Sequence, residues 1–218
     1  MRYSLIIFDL DGTLADSFPF FLRVHDELAR RHGFRSVDGE DIDALRRLTT
    51  REMLARSGLP AWRLPRVARD FVAAMKQADD VRPFPGVPAL LPALAAHATL
   101  ALVTSNAREV AAQVLGPEAM ALFAQVDCGA SIFGKARRLR RLLATTGIAA
   151  ADAIYIGDQV ADADAARDAG IAFGAVDWGY AAPETLAACA PAHRFRTVEE
   201  IGALVSAASG GRTTATSR

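Results

Sequence analysis

Short runs of apolar residues alternate along this chain with longer segments in which apolar residues recur at helical spacing. The short runs are nearly continuous, which is typical of strands that are covered on both faces of a sheet. An alternation of such strands with helices favours an α/β fold built on a parallel sheet. The predicted strands are Ser4–Phe8, Thr99–Val103, Ala153–Ile156 and Ile171–Val176, with weaker ones at Val126–Cys128 and His193–Phe195.

Capping residues indicate where several of the intervening helices begin and end. The predicted helices include one from Ser105 or Asn106 to Leu115, closed by Gly116, one from Asp158 or Gln159 to Gly170, and a last one opened by the capping-box sequence Thr197–Glu200.

One long stretch breaks the alternation, because no convincing strand occurs between about Asp16 and Arg82. Its apolar spacing instead predicts helices, one that stops at Gly33, a short one closed by Gly58 and a long one that begins near Leu64. The punctuated sequence that starts at Arg82 then returns the chain to the alternating pattern.

The position of this stretch suggests a cap. In open α/β sheets, ligands bind at the carboxyl ends of the strands, so a helical insertion directly after the first strand would lie over the site. We therefore expect a core formed by residues 1–15 and 83–208, an all-helical cap domain formed by residues 16–82, and a frayed tail at 209–218. The alternative is that these helices simply pack on the sheet.

Composition limits the classes of function. The chain has 218 residues, half of them hydrophobic, so it can bury a sizeable core. Lys plus Arg and Asp plus Glu balance at 25 each, which gives no electrostatic signature for nucleic acid or an anionic membrane. The apolar stretch before Asp9 is too short for a signal peptide, and Cys128 and Cys189 form no metal-binding or disulfide pattern. We expect a cytoplasmic protein, and no pattern indicates its oligomeric state.

The most informative segment is the end of the first predicted strand. Its apolar run stops at Asp9 and Asp11, and Gly12 and Thr13 follow at once. A carboxylate without a compensating partner beside a hydrophobic core costs several kcal/mol. Stability therefore does not explain why two acids stand together here. The alternative is a strand that leaves the core through an acidic turn.

Three further segments carry candidate chemistry. Thr104 and Ser105 follow the strand at 99–103 and lead into a predicted helix N-terminus, which could bind an anion, although such residues are also ordinary caps. Lys135 opens a helix after a glycine and is placed to reach inward. The strand at 153–156 ends in Gly157 and then Asp158, with Asp162 four residues further on.

If the two acid-terminated strands are neighbours, four carboxylates converge at one edge of the sheet. Such a group repels itself by some kcal/mol per pair even at an effective dielectric of about 20, so it needs a cation. The ligands are hard oxygens with no His or Cys nearby, which favours Mg²⁺ over zinc. The four residues are Asp9, Asp11, Asp158 and Asp162.

Together these segments resemble the four ordered motifs of the haloacid dehalogenase superfamily. The resemblance rests on Asp9-x-Asp11-Gly12-Thr13, Thr104, Lys135 and Gly157-Asp158-x₃-Asp162, and it covers the chain from Ser4 to about Tyr180. It implies a Rossmann-like α/β core with a helical cap inserted between the first and second motifs. Further matches, at Asp16-Ser17, Pro85-Gly86, Gly170 and Trp178-Gly179-Tyr180, are similar to the phosphoglycolate phosphatase-type branch.

The resemblance also implies residue roles. Asp9 would be the nucleophile and Asp11 the general acid and base. Mg²⁺ would be held by Asp9, the backbone carbonyl of Asp11, Asp158 and, through water, Asp162. Thr104 and Lys135, together with Ser105, would bind the phosphoryl oxygens of the substrate.

Asp11 favours phosphoryl transfer over dehalogenation, because displacement of halide needs no acid for the leaving group. We therefore expect a Mg²⁺-dependent hydrolase of a small-molecule phosphate monoester, with a phosphoglycolate-like substrate favoured by resemblance. The alternatives are a phosphomutase of the β-phosphoglucomutase type and, in a different class, a non-catalytic binding protein on the same fold.

Two groups of cap residues bear on substrate choice. Arg46, Arg47 and Arg51 could meet a second anionic group on the substrate, or they could form an exposed helix face. Three phenylalanines follow the first motif, Phe18, Phe20 and Phe21. They could line the entrance to the site or pack on the sheet.

Overall fold

A computed structural model describes residues 3–129 and 134–206 of the protein. The strands are β1 Leu5–Phe8, β2 Ala15–Asp16, β3 Arg82–Pro83, β4 Thr99–Val103, β5 Phe123–Asp127, β6 Ala153–Gly157, β7 Ala172–Val176 and β8 His193–Phe195. The helices are α1 Phe18–His32, α2 Ile42–Arg46, α3 Thr50–Ser57, α4 Leu64–Lys76, α5 Val87–Ala95, α6 Arg108–Ala121, α7 Lys135–Thr146, α8 Val160–Ala169, α9 Pro183–Ala187 and α10 Ala203–Ser206. Short 3₁₀ helices lie at Ala61–Arg63, Ala150–Asp152 and Val198–Gly202.

Six of the strands form one parallel sheet in the order β5-β4-β1-β6-β7-β8. β1 is central, and its last residue, Phe8, lies opposite Leu102 of β4 and Ile156 of β6. The carboxyl ends of these three strands therefore lie side by side. The predicted α/β fold with a parallel, Rossmann-like sheet is confirmed.

Both faces of the sheet are covered, as the continuous apolar runs predicted. Along β1 the side chains alternate, with Ile6 and Phe8 in one hydrophobic cluster and Leu5 and Ile7 in the other. The first cluster also contains buried residues of α5 and α6, and the second those of α7, α8 and α9. These two layers fix the sheet and hold its strand ends in register.

The chain between β2 and β3 forms a helical insertion. Residues 17–81 are all described and contain helices and loops without a strand. α1 packs along α4, and Phe20 meets Phe71 edge to face. β2 and β3 themselves pair as a two-residue antiparallel ribbon, with Asp16 opposite Arg82, so both crossings between insertion and core lie together. The sequence did not predict this ribbon, because two residues are too few to show a period.

Several predicted helix ends are confirmed. α1 ends before Gly33 and α3 before Gly58, both in the left-handed conformation, and α8 runs from its cap Gln159 to Gly170.

Two predicted helix starts are wrong. α6 begins at Arg108 after Ala107, not at Ser105 or Asn106, and it continues past a non-helical Gly116 to Ala121. Thr104 and Asn106 bond elsewhere, as described below.

The second wrong start is the capping box predicted at Thr197–Glu200. The residues after Thr197 form a 3₁₀ helix without a side-chain cap, and Glu200 accepts from the backbone N–H of Arg196 rather than from that of Thr197. A capping box does occur at Thr49 and Glu52, where it opens α3.

No helix in the part of the chain that the structure describes has both the length and the apolar character required to span a membrane. The tail at 209–218 lies outside the described residues.

The packing of α7 on the sheet gives a test of stability. Leu139 is completely buried against the sheet, so Leu139→Ala should lower the free energy of unfolding by about 2–5 kcal/mol. Arg137 is exposed on the same helix, and Arg137→Ala should change it by less than about 0.5 kcal/mol. Urea denaturation followed by circular dichroism measures both, and equal effects would contradict the packing of α7.

Candidate active site

The site forms where β1, β4 and β6 end. Asp9 follows β1, Thr104 follows β4 and Asp158 lies just after β6, and all three are buried. The backbone N–H of Asp9 donates to the carbonyl of Ile156 at 2.9 Å, which continues the sheet by one residue. Parallel register thus brings together acids that are about 150 residues apart in sequence.

Lys135 lies between Asp9 and Asp162. Its Nζ is 3.0 Å from Asp9 Oδ2 and 2.7 Å from Asp162 Oδ1, and the ammonium group is buried. Asp162 Oδ1 also accepts from the hydroxyl of Tyr155 at 3.0 Å, and its Oδ2 accepts from the N–H of Gln159 at 3.1 Å. Asp162 is therefore held by three donors.

Asp158 is fixed from a different direction. Its Oδ2 accepts from the backbone N–H of Tyr180 at 2.7 Å, and its Oδ1 accepts from the hydroxyl of Thr13 at 3.4 Å. These bonds tie the first motif and the loop after β7 to the same carboxylate.

Asp9, Asp158 and Asp162 could hold a cation between them. Each offers one carboxylate oxygen, these oxygens lie within 4.8 Å of one another, and all three residues are buried. Oxygen-only ligands of this kind fit Mg²⁺. The set is anionic even with Lys135 included, so a divalent cation complements its charge.

The titration of these groups reflects their burial. Burial raises the pKa of Asp9 to about 7 against the opposing effect of Lys135, and it raises the pKa of Asp158 well above its ordinary value. Burial lowers the pKa of Lys135, but Asp162 and Asp9 outweigh it and raise that pKa well above the ordinary value. The lysine is therefore charged, while Asp9 and Asp158 need a cation to be fully ionised at neutral pH.

Asp11 contacts the loop that follows β4. Asn106 Nδ2 donates to Asp11 Oδ2 at 2.6 Å, and burial raises the pKa of Asp11 above its ordinary value. Sequence reasoning treated Asn106 only as a helix cap. Its position two residues after Thr104, beside a hydroxyl cluster at a strand end, is the signal that could have identified it.

Thr104 and Ser105 occupy different environments. Thr104 is completely buried, and its Oγ1 accepts from the N–H of Asn106 at 3.0 Å, whereas Ser105 lines the cavity described below. The structure thus brings Ser105 to the open side of the site and Thr104 beneath it.

Close approach at Asp158 requires two glycines. A Cβ on Gly179 would lie 2.2 Å from Asp158 Cβ, and one on Gly12 would lie 2.1 Å from Asp158 Oδ2. Gly12 also has a φ of 70°. Gly179 lies in the segment Trp178–Tyr180 that the sequence singled out only by resemblance.

A cavity of about 520 Å³ extends from these acids into the helical insertion. Asp9, Asp11 and Lys135 line its floor, and Phe18 and Phe21 are among the residues around it. Phe20 is buried against Phe71 and is not part of this lining. The entrance interpretation therefore fits two of the three phenylalanines.

The three candidate arginines, Arg46, Arg47 and Arg51, lie in different environments. Arg46 lines the cavity, and its Nη2 donates to the carbonyl of Gly179 at 2.7 Å, so it connects the insertion to the loop that holds Asp158. Arg47 and Arg51 are exposed, as the alternative interpretation expected.

The chain belongs to the haloacid dehalogenase-like hydrolase family, whose sequence pattern matches residues 6–176. The predicted resemblance to this superfamily and the hydrolase class are confirmed.

Its relatives include a phosphoglycolate phosphatase from Synechococcus elongatus, 33% identical over 90% of this chain and 94% of the relative. An N-acetylmuramic acid 6-phosphate phosphatase from Pseudomonas aeruginosa is 28% identical over 84% of this chain and 86% of its own length.

Solved structures share the fold. A haloacid dehalogenase-like hydrolase from Streptococcus pneumoniae has a TM-score of 0.73 at 22% identity, over 93% of this chain and 98% of its own. CbbY from Rhodobacter sphaeroides, solved with phosphate, has a TM-score of 0.68 at 22% identity, over 92% and 96%.

The contact between Gly179 and Asp158 gives a test of the site. Gly179→Ala should displace Asp158 and lower Mg²⁺ affinity by about 10–100-fold, the usual effect of disturbing groups that orient a ligand. Gly202→Ala is the control, because the nearest atom to its added Cβ is 3.9 Å away. Titration calorimetry with MgCl₂ measures both, and equal affinities would contradict the proposed position of Asp158 at the ion.

Proposed function

We propose that this protein is a Mg²⁺-dependent phosphatase that hydrolyses a small-molecule phosphate monoester through an aspartyl-phosphate on Asp9. The observation that carries the proposal is the convergence of Asp9, Asp158 and Asp162 with Lys135, at a place where Asp9 and Lys135 line the floor of a cavity. The names of the relatives, several of them phosphatases, support it.

In the first step, a carboxylate oxygen of Asp9 attacks phosphorus and the bond from phosphorus to the alcohol oxygen breaks. Asp11 gives its proton to that departing oxygen. The raised pKa of Asp11 supports this role, since burial keeps more of the protonated form near neutral pH. Asn106 holds the same carboxyl through its 2.6 Å hydrogen bond and so orients it.

In the second step, Asp11 removes a proton from water as the water oxygen attacks phosphorus. The bond between phosphorus and the Asp9 oxygen breaks, which releases phosphate and restores the Asp9 carboxylate. One group thus serves as acid and then as base, and the two-residue spacing to Asp9 keeps it beside the same phosphorus.

Charge on the transferring group is balanced by neighbouring residues. Lys135 lies 3.0 Å from Asp9, so its ammonium can bind a phosphoryl oxygen beside the nucleophile. Ser105, on the cavity wall, and Thr104 beneath it complete the phosphate site in this proposal. Mg²⁺ bound by Asp9, Asp158 and the carbonyl of Asp11 would supply further electrostatic stabilisation. Asp162 would act through water, which agrees with its three existing donors.

The helical insertion, residues 16–82, acts in this proposal as a cap that excludes bulk water. Arg46 of the insertion donates to the carbonyl of Gly179, and Thr50 of the insertion donates to Gln159 at 3.0 Å. The insertion and the core therefore meet beside the cavity, as a cap would. Phosphoglycolate is the first substrate to test, because it is named for several relatives.

Activity should depend on both Mg²⁺ and Asp9. Asp9→Asn should lower phosphate release from phosphate monoesters by more than about 10³-fold, because the nucleophile is lost. Asp164→Asn removes an exposed carboxylate of α8 and should leave the rate unchanged. A colorimetric phosphate assay with MgCl₂ or with EDTA measures this. Full activity of Asp9→Asn, or release in EDTA, would contradict the mechanism.

Mg²⁺ binding should release protons near neutral pH. The pKa of Asp9 in the metal-free site is about 7, so below that pH the carboxyl is mostly protonated and must lose its proton to bind the ion. Mg²⁺ affinity should therefore rise between pH 6 and pH 8, by up to about tenfold per pH unit for one proton. Calorimetry in buffers of different protonation enthalpy measures the release, and the same affinity at both pH values would contradict it.

A further inference from the structure

We propose that the substrate of this site is a phosphate monoester of an apolar alcohol larger than glycolate, and that this alcohol occupies the cavity under the helical insertion. This inference rests on the proposed function, because it assumes that the phosphoryl group binds beside Asp9. It concerns the part of the substrate that leaves.

The size of the cavity exceeds what glycolate requires. Its volume is about 520 Å³, whereas a cavity of about 150 Å³ already holds benzene. Pockets of about 300–1,000 Å³ are typical for ligands the size of drugs. A two-carbon acid would leave most of this space unfilled.

The lining beyond the acidic floor is mostly apolar. It is formed by side chains from α1, α2, α3 and α4, which surround the cavity on the insertion side. Those used here are Phe21, Leu45, Met53, Leu54, Val67 and Phe71. Such a surface favours an apolar group and gives a charged one no compensation for lost water.

A carboxylate on the substrate would need a cation, and the available cations are engaged. Among the described residues that line the cavity, the basic ones are His25, Arg46 and Lys135. Lys135 is bound by Asp9 and Asp162 and serves the phosphoryl group in the proposed function, and Nε and Nη2 of Arg46 donate to the carbonyls of Tyr180 and Gly179. Burial lowers the pKa of His25, so its imidazole is neutral at pH 7.

The hydroxyl groups of α3 and its cap are also engaged with the protein. Thr49 bonds with Glu52 in the capping box, Thr50 donates to Gln159, and Ser57 donates to the carbonyl of Leu54 at 2.7 Å. A sugar would have to displace or share these bonds, whereas an alkyl or aryl group needs none of them.

The first experiment compares substrates with the full chain and saturating Mg²⁺. The value of kcat/KM should rise about fourfold per CH₂ from ethyl to butyl to hexyl phosphate, since burying one CH₂ contributes about that much selectivity. Hexyl phosphate should exceed phosphoglycolate by at least tenfold. A flat series, or phosphoglycolate used as well as hexyl phosphate, overturns the inference.

The second experiment places a cation in the lining. Met53→Lys should lower kcat/KM for hexyl phosphate and raise it for phosphoglycolate. The ratio of the two kcat/KM values should therefore fall by at least tenfold. Ala55→Lys adds the same charge on the exposed side of α3 and should leave both values unchanged. An unchanged preference in a folded Met53→Lys protein, verified by circular dichroism, overturns the inference.

A binding measurement separates failure of the inference from failure of the proposed function. In the Asp9→Asn protein, the dissociation constants of ethyl, butyl and hexyl phosphate, measured by calorimetry with Mg²⁺, should fall by the same factor of about four per CH₂. Binding that tightens along the series without turnover by the wild type overturns the function and supports the cavity's chemistry. If the wild type hydrolyses every ester but the dissociation constants do not change with chain length, the proposed function stands and the inference about the cavity is overturned.

Discussion

The buried ion pairs of Lys135 with Asp9 and Asp162 are the constraint on which the rest of this structure depends. A carboxylate cluster beside a hydrophobic core is costly unless it is paired. Here one ammonium lies 3.0 Å from Asp9 and 2.7 Å from Asp162. To keep it there, α7 must begin at Lys135, and β1 and β6 must be neighbours that end at the same level. Sheet order, helix position and site geometry are therefore linked requirements.

Those parts of the fold that depend on burial could be predicted from the sequence. The central strands are apolar on both faces, so the bounds of β4 were predicted to the residue and those of β1 and β6 to within one. The acids followed from the same reasoning, because two carboxylates at the end of a buried strand are not explained by stability, although an acidic turn remained the alternative. Glycine before Lys135 was a weaker signal, but the side chain does reach inward.

The parts that could not be predicted depend on contacts between distant segments. The β2–β3 ribbon has two residues on each side and shows no periodicity. Asn106 looked like a cap because its partner, Asp11, is distant in sequence and close only after β1 and β4 pair. Gly179 gave no sign of its contact with Asp158. Thr197 and Glu200 had the spacing of a capping box, yet the backbone of Arg196 offered Glu200 a nearer donor.

The pairing of Asp16 with Arg82 has a consequence for how such a protein can diversify. Because the helical insertion leaves and rejoins the core at one pair of adjacent residues, its helices can change in length and sequence without moving the ends of β1 or β4. Under the proposed function, the chemistry and the choice of substrate are thus encoded in separate stretches of chain. Mutations that reshape the insertion leave the acids and the lysine in register, so new specificities can arise without rebuilding the proposed catalytic groups.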